Sequence, residues 1–160
     1  MSDSPSLLPL FPHRIDKALK ALAFDYGTQR IGVAFGQSVS GSAQPVSVLK
    51  ARDGIPDWAQ IQELINNWAP DVFVVGMPFN LDGSTSELLT RAVKFGNRLN
   101  GRFHLPVFGM DERLSSQEAI EQCVQKNGGN KETAIDHIAA QIILENWFSG
   151  LAQRSSAQDS

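Results

Sequence analysis

Acidic residues stand where two apolar runs of the chain give out, and another stands in the first turn of the last helical pattern. Asp25 ends the run at 21–25 (ALAFD), and Gly27 follows two residues later. A carboxylate at the end of a buried strand is costly unless it is hydrogen-bonded, paired or on a metal. It would equally cap the turn at 26–29 through an Asx bond. Asp111-Glu112-Arg113 ends a second run, VFGMD. Such a triplet serves as a solvated loop, with Arg113 paired to Asp111. At a shared sheet edge it would face a ligand crevice, with Arg113 as a bidentate phosphate donor. Asp136 falls in the first turn of the final helical pattern, where the helix dipole favours an acid. It also lies on or beside a small-residue face made by Ala139, Ala140, Ile143 and Leu144. Three carboxylates converging on one sheet end suit hard divalent cations. Two such ions would activate a water and stabilise the leaving oxygen in phosphodiester hydrolysis.

Other polar groups have weaker readings. The loop Gly76-Met77-Pro78-Phe79-Asn80-Leu81-Asp82-Gly83-Ser84 leads into a helix whose free N–H groups would suit an anion. Asn80 would hydrogen-bond a sugar or phosphate there, or the loop is simply a capped turn. Arg91, Lys94 and Arg98 share one side of that helix. They fit a nucleic-acid backbone or a solvated helix face. His13, His104 and His137 have no metal-ligand partner at helical or hairpin spacing, and Cys123 reads as a small core residue.

These residues need elements to position them. The runs at 21–25 and 30–35 are separated by four residues, too few for a crossover helix, so the two strands must be antiparallel. The alternating stretch at 45–49 reads as a third strand on an edge, with Pro45 at its start. Trp58, Ile61, Leu64, Ile65 and Trp68 have helical spacing, with Pro56 as an N1 proline and Pro70 as the stop. A buried strand follows at 72–75. Ser84 and Glu87 form a capping box that opens a helix closed by Asn100-Gly101. A fifth strand at 107–111 precedes a second box at 115–118, whose helix ends at Gly128-Gly129. The last helix spans about 133–148. The expected order is β-β-β-α-β-α-β-α-α. It makes an α/β mixed five-stranded sheet, with the first three strands antiparallel and the later ones parallel by right-handed crossovers, flanked by helices.

Composition narrows the class. The chain has 160 residues, one domain's worth, and its 42% hydrophobic share is enough for a core. Fourteen basic against seventeen acidic residues give a net charge of −3, so binding of nucleic acid must rest on a local patch or on metal ions. A single cysteine excludes an internal disulfide and a cysteine-based zinc cluster. No apolar run approaches the roughly 20 residues that span a bilayer, and the start lacks a basic signal-peptide region. The expectation is a cytoplasmic protein with no membrane partner. Residues 1–19 form an N-terminal arm, flexible or docked through Leu7, Leu8, Leu10 and Phe11. Residues 20–150 form the domain, and residues 151–160 a flexible tail.

Four segments together resemble the YqgF (RuvX) family. They are Asp25-Tyr26-Gly27-Thr28-Gln29-Arg30-Ile31-Gly32-Val33-Ala34, then Val74-Val75-Gly76-Met77-Pro78 with Asn80 and Asp82-Gly83-Ser84, then Asp111-Glu112-Arg113-Leu114-Ser115-Ser116, and Asp136 with Ala139-Ala140 and Ile143-Leu144. The resemblance spans nearly all of 21–148. It implies an RNase H-like fold and a metal-dependent nuclease that trims the 5′ end of precursor 16S ribosomal RNA. Related resolvase-type proteins act on four-way DNA junctions. Carried over by motif, Asp25, Glu112 and Asp136 are the acidic triad that holds Mg²⁺ or Mn²⁺. Thr28, Arg30, Asn80 and Arg113 would hold the substrate. Many RNase H-like nucleases carry an acid at the end of the fourth strand. Here Gly76 stands there, so the middle acid comes from the fifth strand as Glu112, with Asp111 the alternative.

Three other readings compete. A junction resolvase would be a homodimer, because two opposed cuts need two sites; an RNA nuclease can be a monomer. The Asp25-Tyr26-Gly27-Thr28 segment also looks like the first phosphate loop of actin-type ATPases, but 160 residues leave no room for their second domain. A non-catalytic RNA-binding module would bind without Asp25 and would not cleave.

Overall fold

The computed structural model describes residues 7–12, 17–78, 82, 86–112 and 131–158, and within the last helix the side chains of 138–154. Six strands form one sheet in the order β4-β3-β2-β1-β5-β6. They are β1 (Lys20–Asp25), β2 (Arg30–Gln37), β3 (Ser42–Arg52), β4 (Ile55–Pro56), β5 (Val72–Met77) and β6 (Val107–Asp111). The helices are α1 (Trp58–Trp68), α2 (Glu87–Phe103) and α3 (Lys131–Gln158). β1 and β2, and β2 and β3, pair antiparallel, whereas β1, β5 and β6 run parallel. This is the expected mixed sheet with one strand more.

The extra strand comes from Asp53-Gly54. Both residues have positive φ, 53° and 80°, and they turn β3 directly into β4 with Arg52 opposite Ile55. Asp-Gly is a preferred pair for such a two-residue hairpin turn. Pro56 therefore ends a strand and is not the N1 residue of α1. Asp57 caps α1 by accepting from the Ala59 N–H at 3.0 Å. β3 also starts earlier than expected. Pro45 lies inside it, opposite Ala34 and beside a register shift at Val33/Ala34, a place where a missing N–H is tolerated.

Three helix ends differ as well. The N-cap of α2 is Ser86, whose hydroxyl accepts from the Leu89 N–H at 3.1 Å. Ser84 lies outside the described residues. The helix passes Asn100-Gly101 and closes at His104, left-handed at φ 60°, ψ 30°. Asn100 still serves the end, because its side-chain amide donates to the Leu105 carbonyl at 2.9 Å. α3 starts at Lys131 and continues to Gln158, past the expected end near 148. The second capping box, Cys123 and Gly128-Gly129 lie outside the described residues.

Strand alternation divides the core. Leu22 and Phe24 of β1 face α1 and α2 within one apolar cluster. Ala21 and Ala23 face α3 together with Val72, Val74, Phe108 and Met110. Small residues on this second face let α3 lie close. At Gly36 a β-carbon would stand 2.8 Å from the Phe148 ring. The arm docks on the far edge. The Pro9 carbonyl accepts from the Gly109 N–H of β6 at 2.8 Å, and the Leu10 carbonyl accepts from the Trp147 indole at 2.7 Å. Leu8 is buried against Gly96 and Gly109, and Phe11 stacks on Trp147.

Candidate active site

Parallel pairing brings the C-terminal ends of β1, β5 and β6 to one edge of the sheet. Phe24 is opposite Val75, and Gly76 is opposite Met110, so Asp25, Gly76 and Met110 stand in one row. Ala23, Val74 and Phe108, two residues earlier in each strand, face α3. By strand alternation Asp25 and Gly76 face the same way. Glu112 lies two residues past Met110 and returns to that face.

Two strand spacings, about 9.6 Å, separate β1 from β6. The residue between them is a glycine, and Glu112 uses the gap. A β-carbon on Gly76 would stand 2.9 Å from Glu112 Oε1, 3.0 Å from its Cδ and 2.6 Å from Ile143 Cδ1. The Glu112 carboxyl thus fills the space of a side chain at 76 and meets Asp25 in a hydrogen bond. The fold does not omit an acid at the end of β5; it supplies one laterally from β6.

This placement changes the acid's chemistry. Burial is the largest influence on Glu112, followed by the charge of Asp25, the hydrogen bond to Asp25 and the charge of Asp111. Together they raise the Glu112 pKa from 4.5 to about 8. Glu112 thus holds its proton to higher pH than a free carboxyl does, beside and hydrogen-bonded to Asp25. Two carboxylates in contact are oxygen donors of the kind hard divalent cations prefer, although among the described residues no third such ligand joins them.

The loop after Asp25 is held rigidly. At Gly27 a β-carbon would lie 2.5 Å from the Arg30 carbonyl, so the turn requires glycine. The Thr28 carbonyl accepts from the Gly54 N–H and the Gln29 carbonyl from the Ala51 N–H, both at 2.8 Å. The β3–β4 hairpin therefore braces the Asp25 turn.

Asp25 and Glu112 are thus in contact. Asp111 ends β6 opposite Met77 and acts on Glu112 through its charge. Asp136 is in the first turns of α3, about two turns before Ile143. α3 passes from Gly36, under Phe148, to Gly76, under Ile143, so its N-terminal turns lie toward the acidic edge. The Asp136 side chain is outside the described set. Thr28 is half-buried in the Asp25 turn, and Arg30 is exposed at the start of β2. Asn80 and Arg113 lie outside the described residues. Sequence reasoning missed the seat at Gly76 and the brace from β4. The Asp53-Gly54 pair was a usable signal for the brace. Nothing local signals that a glutamate two residues past one strand crosses its neighbour.

A family profile described as RuvX, Holliday junction resolvase, matches residues 19–150. The chain belongs to the RuvX family. A Pseudomonas paraeruginosa protein named "Putative pre-16S rRNA nuclease" is 52% identical over 137 residues, 84% of this chain and 95% of that protein. A Haemophilus ducreyi protein of the same name is 50% identical over 133 residues, 82% and 96% of the two chains. Among solved structures, Thermus thermophilus RuvC in complex with a Holliday junction substrate superposes with a TM-score of 0.53. It is 13% identical and covers 84% of this chain and 96% of its own, so the likeness is one of fold. No described helix is long and apolar enough to cross a membrane.

Proposed function

We propose that this RuvX-family chain is a metal-dependent endonuclease of the cytoplasm that processes the 5′ end of precursor 16S ribosomal RNA. The coarse activity, hydrolysis of phosphodiester bonds, follows from family and relatives. The observation that carries the chemistry is the Glu112 carboxyl lying across Gly76 onto Asp25. In this reading Asp25 and Glu112, with Asp136 from α3, hold Mg²⁺ or Mn²⁺. The bound cation supplies Lewis-acid activation of water and neutralises charge on the leaving oxygen. Glu112 would give its proton to solvent on binding a cation and would then orient the attacking water. Thr28 and Arg30 hold backbone phosphates beside the braced turn, and Asn80 and Arg113 share that task.

A second reading is cleavage of four-way DNA junctions, favoured by the family's description as a resolvase. One experiment separates the two. Purified protein and its Asp25→Asn variant are incubated with a precursor ribosomal RNA fragment and with a four-way junction, in Mn²⁺, Mg²⁺ or chelator. Cleavage of RNA alone, lost in the variant and in chelator, supports the RNA reading. Cleavage of the junction by a dimer transfers the assignment to the resolvase. Retained cleavage by Asp25→Asn removes the carboxylate mechanism altogether.

A further inference from the structure

On the opposite side of the sheet end from the acids is an open cleft of about 220 Å³. Its floor is Gly54 and the Tyr26 ring, and its wall is one side of α2, with Arg91, Lys94 and Arg98. Tyr26 directly follows Asp25, and its ring packs at 5.2 Å on Phe95, turned toward α2. The floor is fitted closely. A β-carbon at Gly54 would overlap the Tyr26 hydroxyl, and φ there is 80°. The cleft is therefore built by the same hairpin that braces the Asp25 turn.

Its charge does not match that of the chain. The molecule carries −3 overall. The cleft gathers three cations against one acid, Asp53. Arg91 is held there by Asp53 at 3.0 Å and by Glu87 at 3.6 Å. Among the described residues neither Lys94 nor Arg98 is ion-paired, and both are exposed. Two free cations beside a hydroxyl suit an anion with several oxygens. The volume is below the roughly 300 Å³ at which pockets for drug-sized ligands begin. It has room for a phosphate group.

We infer that this cleft binds a backbone phosphate of the RNA strand flanking the scissile bond, through Lys94 and Arg98, with Arg91 and Tyr26 shaping it. The inference rests on the proposed RNA substrate. A strand crossing the end of the sheet is gripped on the α2 side and cut on the α3 side. Asp53 acts as a counter-charge that tempers the grip.

The test measures binding apart from cutting. Affinity of the full chain for a labelled single-stranded ribosomal RNA fragment is followed against salt in chelator, and cleavage kinetics are measured separately in Mn²⁺. Each phosphate contact on a single strand contributes about 0.7 to the slope of log affinity against log salt. The double variant Lys94→Ala/Arg98→Ala is expected to lower that slope by about 0.7, the share of one phosphate, raise KM and leave kcat unchanged. Asp53→Asn is expected to bind more tightly than the native chain, a gain that a purely structural role would not give. Arg102→Ala is the control, because this cation lies over the Trp58 ring at 4.4 Å, outside the cleft. An unchanged slope in the double variant, or an equal drop in the control, overturns the cleft. If the native chain cuts no RNA while the double variant still loses slope, the cleft stands and the nuclease reading fails.

Discussion

Gly76 and Glu112 have to be understood as one unit. A side chain at 76 and the Glu112 carboxyl compete for the same volume, so only one of them can stand beside Asp25. Gly76→Ala is therefore expected to displace Glu112, to cost about 1–3 kcal/mol by overpacking, and to lower cleavage at least ten-fold; denaturant melts with single-turnover assays would check both. Asp25→Asn is expected to abolish cleavage while the fold persists, because it removes a charge that opposes Glu112 ionisation. The same pair sets a pH dependence. The folded protein keeps the Glu112 proton up to about pH 8, whereas the unfolded chain loses it near 4.5. Metal-free protein is then expected to lose stability as pH rises through that window. Melting temperatures in chelator would show this decline, and Glu112→Gln would flatten it.

At the scale of elements, the β3–β4 hairpin links two functions. It fixes the turn after Asp25 by two backbone hydrogen bonds and floors the basic cleft through Gly54. Gly54→Ala meets both a positive φ and the Tyr26 hydroxyl. It is expected to melt earlier, and to lower both kcat and RNA affinity, unlike the cleft variants, which change affinity alone. Much of this architecture was legible in the sequence. The apolar runs and their short gaps marked the antiparallel start and the parallel strands that follow, and Asp25 stood out as an acid closing a buried strand. Glu112 stood out as part of an acidic triplet at a strand end, but family likeness was needed to prefer it to Asp111, because its meeting with Asp25 depends on the register of β5 against both neighbours. The helix ends were misplaced where the Ser86 hydroxyl and the His104 backbone did the capping, since several polar residues nearby suit that work equally well in the sequence. Pro56 misled because its fixed φ suits a short edge strand as well as a first helical turn.

At the scale of the whole molecule, the arm shields an edge. β6 is the outermost parallel strand, and an open strand edge invites pairing with other chains. Pro9 takes the Gly109 N–H, and Leu8 fills the hollow left by two glycines. Leu8→Ala is expected to cost about 2–4 kcal/mol. Removing residues 1–12 is expected to add self-association visible by sedimentation; a truncated chain that stays monomeric and melts like the full one would refute the shielding role.

The contact between Leu10 and Trp147 also joins positions 137 residues apart. Chains emerge at about 5–20 residues per second, so roughly 7–27 s separate the synthesis of the two partners. Throughout that interval Phe11 and the Leu10 carbonyl have no α3 to dock on. The sealing of the arm is thus a late event, scheduled by translation and open to any chaperone that waits at the tunnel exit.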